Sequence, residues 1–278
     1  MGDESGYRQE QLGILRIFIR MNNLRKILLG LLGEKKYLFL LSSSFQFLYK
    51  TVGMGMDYQD IYFLKKFIRP GDYVVDIGAH LGYFTLELSR LVKDNGKVFA
   101  LEPVSKFHEV LQEQIWKRNI RNVELIKAAM GGDQDFVEMG IPKVNKTKKF
   151  AYARIKKSNL TLDYVESERV KNLNGDDLFL DLPKLDFIKC DVEGLEIAVF
   201  NCMMKTVERH EPILLCELAD KNERRKLLEM LRPFSYSMYI LEHKKLQALE
   251  PDSVKSGISH NHYFIPASRK SRLGPEIA

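Results

Sequence analysis

Five short apolar runs set the rhythm of the chain: Tyr73 to Ile77, Val98 to Leu101, Val123 to Ala129, Leu185 to Cys190 and Ile213 to Cys216. Their residues are mostly β-branched, aromatic or aliphatic, as in strands of a parallel sheet covered on both faces. Between them, apolar residues return every three or four positions. Ile61, Leu64, Phe67 and Ile68 mark a helix over 58–68 that stops at Pro70-Gly71. Leu86, Leu88 and Leu91 mark another over 85–92, and Phe107, Val110, Leu111 and Ile115 a third that Ser105 could cap. One more starts near Leu195, and a charged one runs from about Asn222 to Leu231. Strands alternating with helices predict an α/β fold with a mostly parallel sheet. Tyr236 to Leu241 and His262 to Ile265 are separated by loop, which predicts a terminal hairpin with an antiparallel strand. Residues 133–184 are the least regular, with strand-like fragments and many lysines.

The start of the chain follows a different pattern. Ile14, Ile17, Phe18, Met21, Leu24, Leu28 and Leu31 recur at helical spacing, interrupted by Arg16, Arg20, Arg25 and Lys26. The uncharged run Tyr37 to Tyr49 falls short of the roughly 20 residues that span a bilayer. A basic amphipathic helix can lie on a membrane surface. Packing on its own domain or on a second subunit, as in a homo-oligomer, is the expectation preferred here. Residues 37–56 would form a small hairpin or lid. The chain thus divides into an N-terminal extension over 1–56, a main domain over 57–266 and a basic tail over 267–278.

Composition narrows the class. At 45% hydrophobic residues the chain can bury a core, and its net charge of +6 is modest. Cys190, Cys202 and Cys216 form no Cys-x-x-Cys pair, which predicts reduced thiols and a cytoplasmic setting, with membrane association through the first helix as a variant. Asp3 and Glu4 spoil a signal peptide, and Gly6 breaks the myristoylation pattern.

The chemistry gathers at Asp72 to Thr85. A strand breaks at Gly78 and a helix starts near Tyr83, a cradle of the kind that holds nucleotides. Gly78 and Gly82 would let the backbone approach a ligand closely. His80 removes the glycine that a dinucleotide fingerprint requires, and Asp76 would repel a pyrophosphate. A carboxylate there suits a cation, so the spacing fits S-adenosylmethionine better, with its sulfonium and ammonium groups. The ends of the other strands supply Glu102, 26 residues beyond Asp76, then Ala128, Ala129 and Met130, then Asp191 and Glu193, then Glu217. Glu102 is placed to accept two ribose hydroxyls, and the alanines suit an adenine. Such a row of acids would serve a cationic cofactor or a metal.

Three blocks then match a family. They are Pro70-Gly71-Asp72 through Thr85, Ala100-Leu101-Glu102-Pro103, and Asp186 through Glu196 with its Asp-Val-Glu-Gly-x-Glu core. The chain resembles the FkbM-type S-adenosylmethionine-dependent methyltransferases over about 57–266, and Asn261 with Tyr263 to Pro266 is similar to the family's last strand. The family usually has Asn where this chain has His80, and often Ile in place of Cys190. The resemblance implies a Rossmann-like, seven-stranded methyltransferase sheet and O-methylation of a hydroxyl on a sugar, glycan or other natural product. It implies cofactor contacts from Asp76, Gly78, Ala79, His80, Gly82, Tyr83, Phe84, Thr85, Glu102, Pro103, Ala129 and Asp191. Asp191, Glu193 and His80 are the candidates for the base that takes the acceptor's proton, with His260 and His262 more distant. Lys189, inside strand four, would need a carboxylate partner. No metal site is expected. RNA or protein methylation is the alternative, and so is a non-enzymatic scaffold that retains the cofactor fold. The lysine-rich stretch Lys143 to Lys157 holds only Phe150 and Tyr152 as stacking aromatics, which disfavours nucleic acid.

Overall fold

The structure is a computed structural model that describes residues 25, 27–47, 59–144, 147–148, 154–155, 164–251, 253 and 260–277. Residues 27–47 form helix α1. Then come α2 (Gln59–Leu64), β1 (Tyr73–Ile77), α3 (Tyr83–Val92), β2 (Lys97–Leu101), α4 (Ser105–Lys117) and β3 (Val123–Ile126). Short strands β4 (Ala129–Met130), β5 (Phe136–Val144), β6 (Thr147–Lys148), β7 (Arg154–Ile155) and β8 (Tyr164–Leu173) follow. The rest is α5 (Gly175–Phe179), β9 (Phe187–Cys190), α6 (Glu196–Asn201), α7 (Met204–His210), β10 (Ile213–Glu217), α8 (Lys221–Leu231), β11 (Tyr236–Glu242), β12 (Lys245–Ala248), β13 (Asn261–Pro266) and α9 (Lys270–Leu273).

The main sheet runs β12-β11-β13-β10-β9-β1-β2-β3. Strands β3, β2, β1, β9 and β10 pair in parallel. Strand β13 inserts antiparallel between β10 and β11, as the loop between the last two predicted strands required. The sheet has eight strands rather than the expected seven. The extra one, β12, hairpins onto β11 and buries only Leu246 of its four residues, so its sequence carries no apolar run to announce it.

Alternate residues of each central strand enter opposite layers. Val75, Ile77, Phe99, Ile188, Leu214 and Cys216 pack under α5, α6, α7 and α8 through Phe179, Phe200, Val207 and Leu227. Val74, Val98, Phe187, Ile213 and Leu215 pack under α2, α3 and α9 through Leu64, Leu88 and Leu273. Two-sided burial explains why these strands read as unbroken apolar runs. It also pushes up the thiol pKa of Cys190 and Cys216, and all three cysteines are free.

Three local expectations change. The third strand ends at Ile126, and Ala129-Met130 pairs instead with β8 in a second sheet, β4-β8-β5-β6 with β7 on β5. This sheet accounts for much of the irregular stretch, because its period is broken by a register shift at Ile141/Pro142. Ser105 does not cap α4, since its hydroxyl donates to Glu168 at 2.9 Å. Residues 37–47 continue α1 rather than forming a hairpin, while 48–58 lie outside the described residues, as do 1–24 with most of the predicted first helix.

The basic tail returns to the amino ends of the strands. Arg269 Nη1 lies 2.9 Å and Arg272 Nη1 3.2 Å from Asp186 Oδ1, and Arg272 also pairs with Asp72. Burial opposes the charge on Asp186, but the Tyr73 N–H and the guanidiniums outweigh it and hold its pKa below the usual range. A depressed carboxylate contributes stability that is present above its unfolded value of 3.8 and lost as pH falls through the folded one. Asp186→Asn should therefore be about 2 kcal/mol less stable than the wild type at pH 7. In urea unfolding from pH 7 to 2 that gap should close, and a gap that persists in acid would contradict the account.

Candidate active site

At the carboxyl ends of β1, β2, β9 and β10 lies a cavity of about 730 Å³. The loop after β1 forms its floor. Gly78 and Ala79 donate their N–H groups to Leu101 O at 3.0 and 2.9 Å, which ties the loop to β2. Gly78 has φ +80°, and a Cβ there would stand 1.9 Å from Asp191 O, just past the end of the neighbouring β9. Gly82 has φ +83°, and its Cβ would meet Leu111 of α4 at 2.4 Å. The space expected for a ligand at these glycines is filled by the protein itself. Gly78 still lines the cavity, and Gly82 lies behind it.

Asp76 also lies behind the wall, fully buried. Its Oδ2 accepts the Thr85 hydroxyl at 2.5 Å, and its Oδ1 stands 3.6 Å from Lys189 Nζ. The cation expected at Asp76 is thus the chain's own Lys189. That ammonium donates to Gly78 O at 3.0 Å and pairs with Asp191 at 3.1 Å. Burial alone would discharge Lys189, but Asp191 and Asp76 outweigh it and hold its pKa above the ordinary lysine range. Burial raises the pKa of Asp76 as well, with Lys189 and Thr85 opposing the rise.

One half of the cavity is apolar with a single acid. Phe107, Ala128, Ala129 and Met130 line it, and α1 adds Tyr37, Leu38 and Leu41. Glu102, 4% exposed, accepts the His80 N–H at 2.7 Å and the Val104 N–H at 2.8 Å. Burial pushes its carboxyl up to about 8, against the pull of those two N–H groups. Each oxygen keeps a lone pair for a further donor. The His80 ring packs against Phe107, with centroids 4.3 Å apart, and nearer 6.1 Å from Tyr83. His80 therefore sits with Glu102 on the β2 side.

The other half is acidic. Asp191, Glu193 and Glu217 line it, with Asn261, which faces Glu217 across the β10–β13 pair. Partial burial and the like charges of Asp191 and Glu193 push Glu217 up to about 7. The turn between Asp191 and Gly194 is held by Glu196, whose Oε1 accepts the Val192 N–H at 2.9 Å and the Gly194 N–H at 3.3 Å. Its two acids thus divide the work, Glu196 organising the loop and Glu193, at φ +60°, facing the cavity. Among the described residues no three acids, histidines or cysteines converge in metal-ligand geometry.

Of the residues singled out from sequence, Gly78, Ala79, His80, Tyr83, Phe84, Glu102, Pro103, Ala129, Asp191 and Glu193 line the cavity. Asp76, Gly82 and Thr85 support it from behind. His260 and His262 are not in the wall, and burial lowers His262 to about 4. Glu217 is legible in the sequence only as a rim acid, and no local signal brings Asn261 beside it or α1 into the wall.

The sequence model of the methyltransferase FkbM domain matches residues 76–244. No curated protein matches the chain. Among solved structures, the FkbM methyltransferase of Methylobacillus flagellatus superposes with a TM-score of 0.51 at 18% identity, covering 82% of this chain and 53% of its own. A putative rRNA methylase of Clostridium thermocellum gives 0.45 at 17% identity, covering 77% and 96%. An O-methyltransferase of Thermotoga maritima gives 0.44 at 15%, covering 79% and 69%. The first likeness is one of fold, and the two weaker ones decide neither reaction nor acceptor.

Replacing Lys189 by Met would leave Asp76 buried without a counter-charge. Lys189→Met should lose about 3 kcal/mol in chemical denaturation. Adding Asp76→Asn should recover a large part, because the neutral amide still accepts from Thr85. A double variant no more stable than the single one would refute the pairing.

Proposed function

Taking as premise that the chain belongs to the methyltransferase FkbM family, we propose that it methylates a hydroxyl of a sugar, glycan or other polyhydroxylated compound, with S-adenosylmethionine as the methyl donor. The observation behind this is the division of one cavity into an apolar half around Glu102 and an acidic half around Glu217. The residues present fit the donor. Glu102 has free lone pairs for two ribose hydroxyls, and Ala128, Ala129, Met130 and Phe107 suit an adenine. When bound, the donor supplies a methyl group on a positively charged sulfur that leaves as a neutral thioether.

The chain's own part is orientation and proton transfer. A hydroxyl is a poor nucleophile, and a base near pKa 7 removes its proton most effectively at neutral pH. Glu217 has that pKa, about 7, and stands in the acceptor half. Lys189 fixes Asp191 at 3.1 Å, and Asp60 fixes Asn261, whose Nδ2 donates to Asp60 Oδ2 at 2.8 Å. Three carboxylates at one end also repel phosphodiesters, which favours a polyhydroxylated acceptor over RNA.

Calorimetry should detect S-adenosylmethionine binding, weakened about 10- to 100-fold in Glu102→Ala as two hydrogen bonds to the ribose are lost. A wild-type protein that does not bind the donor would sink the reading. With a labelled methyl donor, transfer should go to hydroxylated acceptors rather than to RNA or protein. Its kcat/KM should rise through about pH 7 as Glu217 loses its proton, then level off. Glu217→Gln should lower kcat by about 10²- to 10⁴-fold. Label found mainly in RNA would overturn the acceptor class.

A further inference from the structure

Helix α1 has two working sides. One is locked to the loop that carries the site. Leu38 and Phe45 are buried, Ser42 Oγ donates to Leu81 O at 2.9 Å, and the Phe45 ring lies 4.3 Å from that of Tyr83. Gln114 of α4 donates to Phe39 O at 3.2 Å and Ser43 Oγ at 2.8 Å. The other side is bare. Of the eight large hydrophobic residues exposed among the described ones, six lie on α1, and Leu31 at 78% and Ile27 at 57%, one turn apart, form its amino-terminal ridge. Gly33, at φ +71°, interrupts the regular helix between this ridge and the part locked to the domain.

Charge selects what can cover the ridge. From Gln11 to Gly33 the sequence holds Arg16, Arg20, Arg25 and Lys26 and no acid. A second copy would bring the same cations against these, which is unfavourable. A surface of anionic headgroups over apolar chains matches both features at once. No described helix is long and apolar enough to cross a membrane, so the contact would be interfacial. Arg25 and Leu41 also line the cavity, so the helix that carries the ridge is part of the chamber's wall.

We propose that α1 seats the protein on an anionic lipid surface, with Ile27 and Leu31 among the headgroups, and that the acceptor hydroxyl belongs to the sugar headgroup of a glycolipid at that surface. The second half rests on the hydroxyl-methylation reading, while the first does not. The contacts of Ser42 and Phe45 with the Leu81–Tyr83 loop then keep the chamber beside that surface. A headgroup sugar reaches the carboxylates without leaving its bilayer.

Flotation of the full chain tests the docking. It should rise with phosphatidylcholine vesicles containing about 30% phosphatidylserine, stay down with phosphatidylcholine alone, and fall off as salt is raised. Ile27→Asp with Leu31→Asp should lower vesicle binding at least about tenfold while calorimetric donor binding stays unchanged. Wild-type protein that does not float would overturn the docking. So would a double variant that floats equally well, or a wild-type dimer that this variant dissolves. In each case donor binding would leave the methyltransferase reading standing. For the acceptor, labelled methyl should enter the organic phase when a total lipid extract is supplied. Label confined to water-soluble acceptors would overturn the second half alone.

Discussion

A single ammonium holds the site together. Lys189 sits inside β9 with Asp76 on one side, Asp191 on the other and the Gly78 carbonyl above. Two carboxylates so close to a buried backbone would repel each other and draw in protons without it. With it, the ends of β1 and β9 come close enough that only a glycine fits at position 78. The loop's path, and hence where Ala79, His80 and Tyr83 emerge, follows from that close contact.

The same pairing sorts the acids by role. Asp76 and Glu196 are turned inward, where each satisfies hydrogen bonds that hold a loop. Glu102 faces the chamber but keeps two backbone donors, so its position is set before any ligand arrives. Glu217 stands at the rim with its proton affinity raised to about 7 by partial burial and the neighbouring charges of Asp191 and Glu193. A row of carboxylates thus separates into buried scaffold, tethered wall group and exposed rim acid through environment, since the residue types are the same.

Helix α1 closes the chamber from outside the main domain and keeps an apolar face bare. A helix that both walls a site and presents such a face couples location to access. The second sheet contributes from the other flank, where Met139 of β5 joins the chamber wall. Helix α1 and the second sheet therefore complete a wall whose floor the repeating strand–helix units carry. This agrees with the general placement of ligands outside the carboxyl ends of strands in open α/β sheets.

Local sequence was enough for the features with a local cause. Double-sided burial makes an unbroken apolar run, so β1, β2, β9 and β10 were legible, and so was the antiparallel closing strand. Glu102 and the acids after β9 and β10 were legible because strand ends point to one rim. What tertiary structure alone decided are pairings between residues far apart in the chain. Lys189 meets Asp76 across 113 positions of sequence, and Asn261 meets Glu217 only because β13 inserts beside β10. Strand β12 had too few buried positions to print a pattern, and the second sheet's period is broken by a register shift at Ile141/Pro142. The two glycines show the limit most clearly: sequence required a backbone without a side chain at 78 and 82, and the fold determined that protein atoms fill the space.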